Sequence, residues 1–275
     1  MEFQMIKGKK YLKKQKLNSS GFVILSIIFA LLVWFLVTWW GELPAFILPS
    51  PLQVFKRFWI SLIDGTLLRH SSYTLLEVGL GLTAGSILAT LTGYLLAKSP
   101  ALERLISPYL VASQAIPVVA VAPLLVIWFG PGLFSKVLIA ALIVFFPVLV
   151  NTVVGVRAVS KDYYDLMHSL RASRWQILKY LEIPAALPVF FGGLRVGATL
   201  SVIGAVVGEF VGADRGLGFL INVGRGQYDT ALVFVAIFAL ILLALILYGL
   251  VILLERRFLA WQHSPQKDTL VEILE

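Results

Sequence analysis

From Thr230 to Leu254 the chain runs without a single charged residue. At about 1.5 Å of rise per residue, a helix of that stretch crosses the ~30 Å of hydrocarbon in a bilayer. Similar runs lie between Glu77 and Lys98, between Arg104 and Lys136, and between Lys136 and Arg157. Another reaches from Gly21 to Gly41 and places Trp39-Trp40 where a membrane–water interface would fall. In lipid the backbone must bond within each segment, so these runs are expected to be helices. A last span, roughly Pro188–Gly212, tolerates Arg195 and Glu209 because both sit near its ends, where long side chains reach an interface or an aqueous cavity. The expected fold class is all-α, a polytopic membrane protein of about six transmembrane helices.

Composition supports the same reading. Hydrophobic residues make up 59% of the 275 and charged residues 14%, against roughly 25% charge in a soluble globular chain. Once six spans are set aside, too little length remains for a soluble motor domain. The net charge of +8 sits in the gaps between apolar runs, a topology signal rather than a nucleic-acid stripe, so no nucleic-acid partner is expected. There is no cysteine, and His70, His168 and His263 lack metal-ligand spacing.

The run from Arg104 to Lys136 exceeds one span and carries Pro108, Pro117, Pro123 and Pro131, so one kinked helix with its entry and exit turns is expected there. The Gly21–Gly41 run is too long for a signal-peptide core and lacks a small-residue cleavage pattern, which makes it a retained first helix. With the N-terminus inside, the outer segments hold Lys56, Arg57, Arg69, Lys136, Arg215 and Arg225, and all other Lys and Arg of the 23 lie inside. Both termini are therefore expected in the cytosol. The chain divides into a basic N-terminus (1–20), a transmembrane domain (21–255) containing a cytosolic loop (158–190), and a C-terminal tail (256–275). Leu48-Pro49-Ser50-Pro51 breaks the chain after the first span, and Gln53–Leu68 reads as an amphipathic helix on the outer side.

No G-x-x-x-x-G-K-[ST] occurs, so the chain has no nucleotide-binding P-loop of its own. Gly79-Leu80-Gly81-Leu82-Thr83-Ala84 spells a dinucleotide fingerprint by letter, but no strand precedes it. The better reading is helix packing: Gly81, Gly85, Ala89 and Gly93 recur every four residues and leave one flat face. Gly193, Gly197, Ser201 and Ala205, with Gly204, Gly208 and Gly212 beside them, repeat the device in the fifth span. Polar residues within spans, Glu77, Gln114, Asn151, Ser201 and Glu209, are candidate pathway groups. None of the charged ones falls at the bilayer centre, so they are expected as cavity lining or interface anchors. A stand-alone secondary carrier would call for a central ionisable pair or an internal repeat, and an intramembrane enzyme for a His/Asp/Ser or metal constellation; the sequence displays neither.

The stretch from Asp165 to Pro188 is too polar to cross. It reads as a short helix, a turn at Ala172-Ser173, and an amphipathic helix stopped at Pro184. Leu166, Met167, Leu170 and Trp175 form an apolar knob flanked by Arg171 and Arg174, with Asp165 and Ser169 on the same helix. An aliphatic and aromatic anchor ringed by charge is what a protein-docking projection needs.

This segment resembles the EAA loop, E-A-A-x3-G-x9-I-x-L-P, of permease subunits in ATP-binding-cassette (ABC) importers. Asp165 stands for the Glu, Leu166-Met167 for the two Ala, Leu181 for the Ile, and Ile183-Pro184 for the Leu-Pro. Arg171 stands where the family usually has glycine, with Ala172-Ser173 left to supply the bend. Leu48-Pro49-Ser50-Pro51, Trp128-Phe129-Gly130, Gly208-Glu209-Phe210 and Gly216-Leu217-Gly218-Phe219-Leu220 extend the likeness to the sulfonate, taurine and nitrate importer permeases and their relatives for thiamine precursors and riboflavin. The run Gly208–Asp229 looks most like the vitamin branch. The resemblance implies a type I importer permease in a bacterial inner membrane, working as a homodimer with cytosolic ATPase subunits and an extracytoplasmic binding protein. It implies no cofactor on this chain, since ATP and Mg belong to the ATPase. Docking of the loop on that ATPase would then turn its cycle into alternating access.

Overall fold

The computed structural model describes residues 21–22, 24–41 and 44–263; the basic segment 1–20 and most of the tail fall outside them. The described elements are helical. In chain order they are α1 (Ile24–Trp40), α2 (Pro51–Ile63), α3 (Thr66–Lys98), α4 (Pro100–Gln114), α5 (Val118–Phe129), α6 (Leu133–Arg157), α7 (Lys161–Ser169), α8 (Arg174–Ile177), a π-turn (Leu178–Glu182), α9 (Ile183–Gly212), α10 (Leu217–Gly226) and α11 (Thr230–Phe258).

Four continuous segments are long and apolar enough to cross a membrane: α3, α6, α8 through α9, and α11. The Arg104–Lys136 region differs from the single kinked helix expected of it. It forms two helices, α4 and α5, bent by 95° at residues 115–117, and they count as a fifth span only if taken together. Pro117 explains the break: it stands before the first residue of α5 with extended backbone (φ −67°, ψ 115°), and the residue before a proline is itself pushed out of helical geometry. The first of the six expected spans is α1, apolar and shorter than the others.

The connection from α1 to α3 is built from caps. Ser50 and Gln53 form a reciprocal capping box, Gln53 N–H to Ser50 Oγ at 3.3 Å and Ser50 N–H to Gln53 Oε1 at 2.8 Å, and Pro51 occupies the first turn of α2. The helix ends at Asp64 rather than at Leu68, because Gly65 adopts a left-handed φ of +75° before α3 starts. Pro49 C=O accepts from Trp34 Nε1 at 3.1 Å, and the Trp34 ring stacks on Phe234 at 5.3 Å. The Arg57 guanidinium pairs with Asp229 at 2.7 Å, fastening α2 to the residue that caps α11.

The core lies where α3 and α9 both pack against α6. Its centre is Ala140, which has no exposed surface. A Cβ added to Gly81 would fall 2.5 Å from Ala140 Cβ, and one added to Gly204 would fall 2.6 Å from Ala140 Cα. Gly85 and Gly93 of α3 approach Ala141 and Thr152 as closely, Gly193 approaches Asn151, Gly197 approaches Val144, and Gly208 approaches Lys136. Ala89 is wholly buried on the α3 face. Both glycine stripes therefore serve the same helix. The outward faces are apolar: Leu242, Leu245 and Leu253 of α11 are each more than half exposed, as suits a surface solvated by lipid.

Candidate functional site

The loop that joins α6 to α9 begins with Ser160, whose Oγ accepts from Asp162 N–H at 3.4 Å at the start of α7. At the other end of α7, Ala172 N–H reaches back to Met167 C=O and Arg171 N–H to His168 C=O, both at 2.9 Å. These two bonds define a Schellman cap, which needs a left-handed residue at its centre. Arg171 is that residue, with φ +54°. The bend expected at Ala172-Ser173 is thus made by Arg171 itself, an arginine holding a conformation that glycine adopts without strain. Ser173 instead opens the next helix, in a capping box with Gln176 (3.3 and 2.7 Å).

The second helix does not stop at Pro184. It passes through the π-turn Leu178–Glu182 and continues to Gly212 as one 39-residue segment. Proline cannot donate to the carbonyl four residues back and its ring collides with that carbonyl. The wider turn, in which Ile183 N–H bonds Leu178 C=O, absorbs the mismatch before Pro184 enters the second position of α9.

The knob projects. Leu166, Leu170 and Trp175 are 55%, 68% and 68% exposed, Met167 is half-buried, and Asp165, Ser169, Arg171, Ser173 and Arg174 are exposed around them, with Ala172 partly covered. Behind the knob the loop is anchored by a residue that sequence reasoning passed over. Glu182, 2% exposed, accepts from Tyr94 Oη at 3.0 Å, from Tyr164 Oη at 3.2 Å and from Lys98 Nζ. Lys98 also donates to Tyr164 Oη at 3.4 Å. Burial and the Glu182 carboxylate raise the Tyr164 phenol above its ordinary value, so it stays a donor at neutral pH. The one available signal was a carboxylate set directly before the apolar run that starts at Ile183, where an unpaired charge is costly.

At the far end of α3 and α9 lies a second polar cluster. Glu77, Lys136 and Glu209 are at most 4% exposed. Lys136 Nζ stands 4.0 Å from Glu77 Oε1 and donates to Pro131 C=O at 2.8 Å. Thr74 Oγ1 donates to Glu209 Oε1 at 2.6 Å, and Gly218 N–H donates to Glu209 Oε2. The carboxylate thus caps the N-terminus of α10, where unpaired amides and the helix dipole favour negative charge. Gly216, at φ +104°, and Gly218 leave the space it occupies. The sequence spacing leaves Glu77, Glu209 and Lys136 apart, and counts Lys136 among outer-loop cations; the fold joins all three inside the subunit.

The other pathway candidates are scattered. Gln114 is exposed at the α4–α5 bend, Asn151 donates to Pro147 C=O at 2.8 Å, and buried Ser201 donates to Ala198 C=O at 2.8 Å in its own helix. None of them, nor Glu77 or Glu209, lines either cavity beside Glu182. Arg195 pairs with Glu255 of α11 at 2.8 Å. No group of three or more acidic or histidine side chains suited to a metal occurs among the described residues.

An apolar-faced helical bundle with a capped, projecting loop defines a polytopic membrane protein. Residues 81–260 match the family of binding-protein-dependent transport system inner membrane components, and the chain belongs to it. Its relatives are ABC importer permeases. The riboflavin transport system permease protein RibX of Chloroflexus aurantiacus is 50% identical over 221 residues, covering 80% of this chain and 82% of that one. The formylaminopyrimidine transport permease protein ThiX of Halalkalibacterium halodurans is 38% identical, with 80% and 87% covered. The taurine transport system permease protein TauC of Escherichia coli is 31% identical, with 86% and 88% covered. The fold is shared with the MetNI methionine ABC transporter in an inward-facing crystal form, at a TM-score of 0.61 and 18% identity, covering 70% of this chain and 95% of that one.

Proposed function

We propose that this chain carries riboflavin inward as the permease of an ABC importer, by ATP-driven alternating access. The observation that carries the substrate is the 50% identity to the riboflavin permease, well above the 38% to the formylaminopyrimidine permease and the 31% to the taurine permease. A thiamine pyrimidine precursor is the second reading, favoured by the 38% relative; a sulfonate, taurine or nitrate follows.

The proposed assembly is a homodimer of this chain in lipid, with two cytosolic ATPase subunits that hold ATP and Mg, and an extracytoplasmic binding protein. The chain supplies no ATPase site. Segments 1–20 and 256–275 lie in the cytosol, as does the loop 158–190, whose Leu166, Leu170 and Trp175 knob enters a groove of the ATPase. Ligand-driven closure of the ATPase pair then shifts the population of inward- and outward-open states by the difference in docking energy between them.

The test reconstitutes the permease with its cognate ATPase and binding protein in proteoliposomes and follows labelled riboflavin, formylaminopyrimidine and taurine. ATP-dependent riboflavin accumulation is expected. Accumulation of taurine with riboflavin excluded refutes the substrate.

A further inference from the structure

The docking loop has few ways to move the membrane domain. α7 is joined covalently at its two ends, and the side-chain hydrogen bonds described for it and its cap are otherwise local, Ser160 with Asp162 and Ser169 with Leu166 C=O. Tyr164 is the exception. Its hydroxyl crosses to Glu182 and Lys98, and its ring lies 5.0 Å from the Lys98 ammonium.

The two ends of that crossing belong to the two helices that flank α6. Tyr94 and Lys98 occupy the last turns of α3. Glu182 closes the π-turn at the root of α9. A displacement of α7 that keeps these bonds must therefore carry the ends of α3 and α9 with it. Hydrogen bonding makes the joint hard to pull apart, since removing its partners leaves the buried Glu182 carboxylate uncompensated.

The joint also has room to turn. A cavity of about 420 Å³, bounded by Thr90, Val156, Ala186 and Phe190, lies on one side of it. A second of about 440 Å³, bounded by His168, Arg174 and Ile177, also adjoins it. Tyr94 and Glu182 line both. Glu182 and its partners are held to one another by hydrogen bonds at the edge of both clefts. The π-turn beside them is a backbone geometry that recurs at functional sites.

We propose that Glu182, held by Tyr94, Lys98 and Tyr164, is the positioning residue that transmits motion of the docking loop to α3 and α9. The inference rests on the reading of loop 158–190 as the ATPase-docking element. The experiment uses the reconstituted permease–ATPase complex with its binding protein, comparing wild type with Glu182→Gln, Tyr164→Phe and the double variant. Three quantities are read: recovery of ATPase with the permease, ATP hydrolysed, and riboflavin taken up per ATP.

The expected result is intact assembly and continued hydrolysis, with uptake per ATP reduced about tenfold or more, the equivalent of losing a hydrogen bond to a charged acceptor. The double variant should be no worse than Glu182→Gln, since both changes open one joint. Unchanged uptake per ATP in both single variants, or additive losses in the double, overturns the proposal. Should Glu182→Gln fail to assemble, Tyr164→Phe carries the test alone, because it leaves the Lys98–Glu182 pair in place. The docking reading fails in a different experiment: Leu170→Asp with Trp175→Asp would then leave ATPase recovery unchanged.

Discussion

Gly204→Ala places one methyl group where α9 meets α6, and its cost follows from the geometry. The new Cβ would lie 2.6 Å from Ala140 Cα and 3.2 Å from Ala140 N, both backbone atoms. Neither can rotate away, so the two helices must separate by about 1 Å to restore an ordinary carbon–carbon contact of about 3.5–4 Å. Forcing extra volume into a packed contact costs about 1–3 kcal/mol. Opposing this, alanine is better than glycine within a helix by about 1 kcal/mol. Gly249→Ala isolates the clash, because a Cβ there meets nothing within 4 Å and the propensity gain is the same. Gly204→Ala is therefore expected to be less stable than Gly249→Ala by about 1–3 kcal/mol. The assay is equilibrium unfolding of the purified detergent-solubilised protein, followed by tryptophan fluorescence. Equal stability of the two variants would refute the claim that α6 and α9 are in backbone contact at Ala140.

Further outcomes follow from the caps and the knob. Arg171→Gly should stabilise the end of α7 by about 1 kcal/mol, since glycine holds φ +54° without a Cβ penalty, and slowed amide exchange at position 171 and at Ala172 would register it. Gly216→Ala combines a φ of +104° with overlap on the Glu209 carboxylate and should abolish folded protein in size-exclusion chromatography, whereas Gly226→Ala, in open space, should leave it intact. Arg57→Ala removes an ion pair that is about a quarter exposed; a loss of at most about 1 kcal/mol is expected on unfolding. Leu170→Asp with Trp175→Asp should eliminate co-purification of the ATPase while the permease itself remains folded, because both side chains point away from the core.

What the sequence made legible was whatever depends on composition over a long window. Spans α3, α6 and α11 each contain one of the charge-free runs because lipid admits few alternatives. The glycine stripes were visible as a four-residue repeat, but the repeat cannot say that both faces meet one partner; that requires Ala140 to stand between Gly81 and Gly204. Local breaks were less legible. Pro117 breaks a span whereas Pro108 and Pro123 lie within helices, and Pro184 continues a helix only because the π-turn precedes it. These outcomes depend on how neighbouring carbonyls are satisfied, which spacing does not encode. Glu182 and the Glu77–Lys136–Glu209 group were hidden for the same reason. Each is assembled from residues on three or more elements, so no window contains it.

The two polar groups acquire meaning from where they stand on the same helices. Glu209 of α9 bonds Thr74 near the start of α3, and Glu182 at the root of α9 bonds Tyr94 and pairs with Lys98 at its end. Between them run the close contacts of both helices with α6. A pair of helices fixed to each other at both ends, with a third wedged between them by glycine contacts, cannot slide or splay internally without opening a buried charge or a backbone contact. The three therefore behave as one lever. The chain is broken elsewhere, at the 95° bend between α4 and α5 and at the π-turn that precedes α9. In the importer cycle proposed above, a docked ATPase would therefore move α3, α6 and α9 as one unit.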